Sequence, residues 1–194
     1  MSQRVYNLFQ RSIEAKMQVG EELAPLIETA ADRLVQALLD EKKILVCGNG
    51  PSAALAQIFA SNLIDRFEKE RPSLPAIWLG SNMSSYTAIV ADAQHHDVYA
   101  KPLRALGQEG DLLIAISSSG NAGNLVQAIG AARDRGLAVI ALTGRDGGEV
   151  GKLLDARDIE LCARVNSRSR IHEIHLLVLY CLCDLIDHKL FGID

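Results

Sequence analysis

The sequence has little of several things, and each shortage closes off a class of protein. Cysteine is scarce: Cys47, Cys162, Cys181 and Cys183 are too few among 194 residues to frame a disulfide-stapled scaffold. No apolar run approaches the roughly 18 residues of a membrane span, and no charged-then-apolar leader ends in small residues. The expectation is a soluble cytoplasmic protein without a membrane partner. Positive charge is also short. Twenty Lys and Arg against twenty-four Asp and Glu leave a net charge of −4, without the broad positive field a direct nucleic-acid binder relies on. Linkers, low-complexity tracts and internal repeats are missing. Apolar residues, by contrast, make up 48% of the chain, enough to bury a core, and the length suits one α/β domain.

Residues 1–40 carry helical periodicity. Val5, Leu8, Phe9, Ser12, Ile13 and Met17 form a stripe at spacings of three and four. Gly20 is expected to break it, with Pro25 early in a second helix striped by Leu26, Ile27, Ala30, Ala31, Leu34, Val35 and Leu38. The first stripe precedes the α/β part, residues 41–194, and must bury itself either on its own domain or, the preferred reading, against another subunit. From residue 43 the texture becomes short apolar runs between helical patterns: Ile44–Cys47, Ala76–Leu79, Leu112–Ile116, Ala138–Leu142 and Ile159–Cys162. Continuous apolar runs suit strands buried on both faces, and intervening helices imply parallel crossovers. The pattern predicts an α/β fold with a doubly wound five-stranded parallel sheet flanked by helices, an N-terminal helical extension and a final helix over 167–190.

Ligands of open parallel sheets bind beyond the carboxyl ends of the strands. Three such ends here carry small polar residues: Gly48-Asn49-Gly50-Pro51-Ser52, Ser117-Ser118-Ser119-Gly120-Asn121 and Thr143-Gly144-Arg145-Asp146-Gly147-Gly148. Hydroxyls and amide N–H groups converging at helix starts suit a phosphate monoester on a small polar molecule. The first turn is neither a Walker loop, since no Gly-Lys-Ser/Thr follows, nor a dinucleotide fingerprint, since the glycine spacing fails.

These turns, with Glu70–Ile77 and Arg170-Ile171-His172-Glu173-Ile174-His175, resemble the sugar-isomerase (SIS) domain. Within it the pattern is most similar to the branch of sedoheptulose-7-phosphate isomerase and the DnaA initiator-associating protein, DiaA. The resemblance implies a phosphosugar pocket formed by Asn49, Gly50, Ser52, Ser117, Ser118, Ser119 and Asn121, and a homotetramer. It also implies catalytic positions, and there this sequence departs. The isomerases place a His and, one turn later, a Glu on the helix after Gly-Asn-Gly; Ile58 and Asn62 stand there. Their second catalytic group, a His in the final helix, is matched by Tyr180, and the usual Ser after Gly-Asn by Ala122. An amide cannot accept a proton near pH 7, and a phenol with an ordinary pKa of about 10 replaces His poorly.

The expectation drawn from those departures is a non-catalytic regulatory protein resembling DiaA. Such a protein binds the replication initiator DnaA and promotes its assembly at the chromosomal origin. The alternative is an isomerase of phosphoheptoses such as sedoheptulose 7-phosphate, or a sugar-phosphate sensor. No cofactor and no metal are expected: His172 and His175 are three apart, not the four of a zinc-protease helix, and Cys181 and Cys183 diverge on theirs. His95-His96-Asp97 reads as a solvated turn near the pocket mouth. Leu190 and Phe191, just before Gly192, are either tucked into the fold or form an apolar anchor for the protein partner.

Overall fold

The computed structural model describes residues 2–92 and 94–192. A long helix, α1 (Ser2–Leu39), leads into β1 (Ile44–Gly48), α2 (Pro51–Ile64), β2 (Ala76–Trp78) and α3 (Met83–Ala91). A 3-10 turn at His95–Asp97 and α4 (Ala100–Leu106) follow. The chain continues through β3 (Leu112–Ile116), α5 (Gly123–Asp134), β4 (Ala138–Gly144), α6 (Gly148–Leu153), β5 (Ile159–Ala163) and α7 (Arg168–Phe191). The expected α/β class is what forms: five strands pair in parallel in the order β2-β1-β3-β4-β5.

Alternation along each strand sends side chains to two separate cores. Ile44, Val46, Ile114, Ile140 and Leu161 face one layer, packed with α1, α2 and α7. Leu45, Cys47, Leu113, Ala115 and Val139 face the other, with the remaining helices. Because both faces are covered, the strands could be apolar throughout. Register then aligns the strand ends: Gly48 lies opposite Ile116, and Ile116 opposite Leu142. The three polar turns therefore start at one level, side by side.

One expectation is corrected. Gly20 and Pro25 do not divide α1, which runs unbroken for 38 residues. Proline inside a helix costs about 3 kcal/mol through its missing N–H and a ring clash. Against that, Val19, Leu23, Ala30, Ala31, Leu34 and Ala37 are buried on the same helix. Each buried Val or Leu side chain contributes about 1.5–3 kcal/mol, so packing on either side of Pro25 outweighs the break. The half of α1 before Val19 is different. Val5, Leu8, Phe9, Ile13 and Met17 are all exposed, Phe9 at 66% and Met17 at 70%. Side-chain bonds still tie this half to α7, since Ser12 Oγ donates to Glu173 Oε2 at 2.5 Å.

A second anchor joins α2 to α7. Arg71 is almost fully buried and pairs with Asp187 at 2.9 Å. Its remaining N–H groups donate to the carbonyls of Asn62, Leu63, Asp65 and Pro72. It thereby satisfies carbonyls that the end of α2 leaves without intrahelical partners. No helix among the described residues is long and apolar enough to cross a membrane.

Candidate functional site

At the β1 turn, Gly50 adopts φ +54°, and Pro51 opens α2 with the φ a helix needs. A side chain at Gly48 would press on Ser52, 2.7 Å from its carbonyl oxygen, so the chain doubles back tightly here. Ser52 is consequently buried at 3% exposure rather than facing outward. Asn49 is the polar group that the turn presents. Its side chain exchanges two hydrogen bonds with Asn124, at 2.8 and 2.9 Å, tying the β1 turn to the start of α5. Tyr99 reaches the same point from the other layer, its hydroxyl donating to the Gly48 carbonyl and lying 3.2 Å from Asn49 Oδ1.

At the β3 turn the serines divide their work. Ser117 Oγ accepts from the Gly120 N–H at 3.0 Å, which closes the turn and buries that hydroxyl. Ser119 Oγ accepts more weakly from Asn121 N–H, at 3.4 Å. Asn121 turns away from the β1 side: its Oδ1 accepts from Glu149 N–H at 3.0 Å, and its Nδ2 donates to the Ser119 carbonyl. Among the described residues, none makes a hydrogen bond to the Ser118 hydroxyl. The β4 turn packs against this one so closely that only glycines fit at the contact. Gly120 has φ +68°, and a Cβ there would lie 2.5 Å from the Gly147 carbonyl carbon and closer to its oxygen. Arg145, with φ +63°, adopts the left-handed region without being glycine. Its side chain lines a polar cleft of about 510 Å³ with Ser119, Asn121, Asp146, Arg164 and Asn166.

Of the seven residues assigned to the pocket, Asn49, Gly50, Ser118 and Ser119 thus stand at or next to open surface where the turns meet. Ser52 and Ser117 support the turns from inside, and Asn121 braces the β4 side. Glu160 was missed by sequence reasoning, which had Thr143 only as the start of the third polar turn. Thr143 Oγ1 donates to Glu160 Oε1 at 2.6 Å, and Gly147 and Gly151 leave room for that carboxylate. A Glu in an edge strand beside two glycines was the available signal.

The positions where the resemblance places catalytic groups lie elsewhere in the chain. Asn62 is ten residues beyond Ser52, about 15 Å along α2, at the end remote from the turns. Its side chain hydrogen-bonds the Cys183 thiol, and burial holds that thiol's pKa far up, at about 12. The Tyr180 ring lies against Phe67 at 5.5 Å between centroids, over an apolar groove between α1 and α7 of about 500 Å³. One chain therefore does not bring Asn62 and Tyr180 to its own serine turn. Leu190 packs against the core, Phe191 is partly exposed, and Ile193 and Asp194 fall outside the described residues. Among the described residues no group of three or more His, Cys, Asp or Glu side chains could hold a metal.

Known proteins resemble this chain in sequence and fold. Residues 8–144 match the SIS domain family. Over 189 residues the chain is 51% identical to a phosphoheptose isomerase of Chromohalobacter salexigens, covering 97% of this chain and 96% of that one. It is 48% identical to a phosphoheptose isomerase of Shewanella denitrificans over 194 residues, covering 100% and 99%. The solved phosphoheptose isomerase of Neisseria gonorrhoeae superposes with a TM-score of 0.91 at 40% identity, covering 96% of this chain and 98% of that one. These likenesses overturn the expectation of a non-catalytic protein that binds DnaA at the origin. The relatives are named for an enzyme, and their likeness spans the whole chain. Substitution at Ile58, Asn62 and Tyr180 removes particular groups; it does not bar other side chains from carrying protons.

Proposed function

The chain belongs to the SIS domain family, and from that premise we propose that it is a phosphoheptose isomerase, interconverting sedoheptulose 7-phosphate and the matching aldose phosphate. The observation that carries this reading is likeness at 51% identity over nearly the full length to a relative of that name. The site supports it. The phosphate sits at the β3 turn, where free amide N–H groups at the start of α5 and the Ser118 and Ser119 hydroxyls suit a dianion. The sugar extends toward Asn49, whose side chain is fixed by Asn124. Isomerisation needs no redox cofactor: a proton leaves one carbon, an enediol forms, and a proton returns to the neighbouring carbon.

The full chain is incubated with sedoheptulose 7-phosphate and followed by proton NMR; steady formation of an aldose signal supports the reading. A second reading, a sugar-phosphate sensor, is favoured by Ile58, Asn62 and Tyr180 at the family's catalytic positions. Binding without turnover in the same experiment would select it. The exposed stripe from Val5 to Met17 belongs, in this proposal, to a contact with a second copy of the chain.

A further inference from the structure

The isomerase reading leaves a vacancy: some side chain must give and take a proton near neutral pH, and Asn62 and Tyr180 are poorly suited. Imidazole is the side chain best matched to that task, and the chain has five histidines. His188 sits in the last turn of α7, at the end of the sheet remote from the polar turns. His175 is buried, its Nε2 engaged by the Thr143 carbonyl at 2.7 Å and its Nδ1 sealed from solvent. The Nε2 of His172 is sealed as well. A sugar cannot reach those nitrogens. His95 and His96 are exposed, in the 3-10 turn.

Of the two exposed histidines, His96 is the one whose packing against the site is seen. Its ring lies on Gly123, the first residue of α5; a Cβ there would come within 2.5 Å of its Nδ1 and 2.7 Å of its Cε1. Glycine at 123 makes the space that the imidazole fills. Three residues later Tyr99 fastens the same segment to Gly48 and Asn49, and Asn49 is in turn bonded to Asn124, beside Gly123. The segment therefore bridges both turns, holding His96 at the rim of the crevice between β1 and β3, where the order of the sheet reverses.

Resting on the isomerase reading, the geometry points to His96 as the proton-transferring catalytic residue of this chain. The neutral imidazole takes the proton from C1 of the ketose. The C–H electron pair becomes the C1–C2 double bond, and the carbonyl pair moves to O2, which is protonated by water at the open mouth. In the second half the C1 hydroxyl gives up its proton to water and its oxygen becomes the aldehyde. The imidazolium returns its proton to C2. No oxidant, reductant or net proton is required.

The test compares the full-length protein with His96→Gln and His95→Gln on sedoheptulose 7-phosphate. His96→Gln should lower kcat by about 100-fold or more and leave KM within threefold; His95→Gln should stay within threefold. In the wild-type protein, sedoheptulose 7-phosphate should shift the His96 ring resonances and inorganic phosphate alone should not. A fall below tenfold, an equal fall in His95→Gln, or unmoved His96 resonances overturns the role of His96 while turnover by the wild type leaves the isomerase reading standing. Wild-type binding without turnover overturns both.

Discussion

Gly120→Ala probes the joint on which the phosphate turn depends. Gly120 holds φ +68°, where an alanine costs about 1–2 kcal/mol from the clash of its own Cβ with the backbone. The added methyl also meets the carbonyl of Gly147, within 2.5 Å of the carbon, and lies 3.0 Å from the Gly148 nitrogen. These neighbours are backbone and cannot rotate aside, so one turn must move by about an ångström. Two hydrogen bonds hold Gly120 where it is, from its N–H to Ser117 Oγ at 3.0 Å and from Val150 N–H to its carbonyl at 2.8 Å. Weakening both adds about 1–2 kcal/mol. The variant should lose about 3 kcal/mol in urea unfolding, and displacement of the serine turn should lower kcat/KM about 100-fold. Gly130→Ala is the control, since nothing lies within 4 Å of a Cβ there and its φ is ordinary; it should gain about 0.5–1 kcal/mol. A Gly120→Ala protein that unfolds within 1 kcal/mol of wild type and keeps its kcat/KM would refute the reasoning.

Arg71→Met leaves Asp187 buried without its partner and strips donors from the α2 carbonyls, so unfolding in urea should show a loss of about 3–5 kcal/mol. A loss below 1 kcal/mol would mean the pair contributes only geometry. Deleting residues 2–18 removes the exposed stripe and should lower the solution mass by light scattering to that of a smaller assembly; an unchanged assembly places the contact elsewhere. Burial lowers the pKa of His175 from 6.5 to about 4, so the fold favours its neutral form. Between those values the unfolded chain binds more protons, and stability falls as pH drops from 6.5 toward 4. From pH 7 to pH 5 this site contributes a loss of about 2 kcal/mol, read as the difference in urea stability slopes between wild type and His175→Gln; parallel slopes would contradict it.

The strands were legible because their signal is local. Leu112–Ile116 is apolar at every position, and the structure buries every position of it. Burial on both faces and helices in between suffice to specify a parallel sheet. The strand order and the shared level of Gly48, Ile116 and Leu142 were not legible, since both depend on register between distant segments. Pro25 misled for a related reason: its cost is local, whereas the burial of Leu23 and Leu34 that overrides it is tertiary. In the site, residue types identified the polar turns but not the direction of each hydroxyl. Ser52 and Ser117 point inward because the turns close on them. The pairing of His96 with Gly123, twenty-seven positions apart in sequence, leaves no trace in spacing.

The measurement that bears most directly on the account is turnover of sedoheptulose 7-phosphate in deuterium oxide by the full-length protein, followed by NMR. An enediol route exchanges the transferred proton with solvent to some degree, so the account predicts an aldose phosphate signal growing with enzyme concentration and deuterium entering at the carbons that exchange the proton. Substrate that remains unchanged and unlabelled, even at enzyme concentrations matching its own, would contradict it.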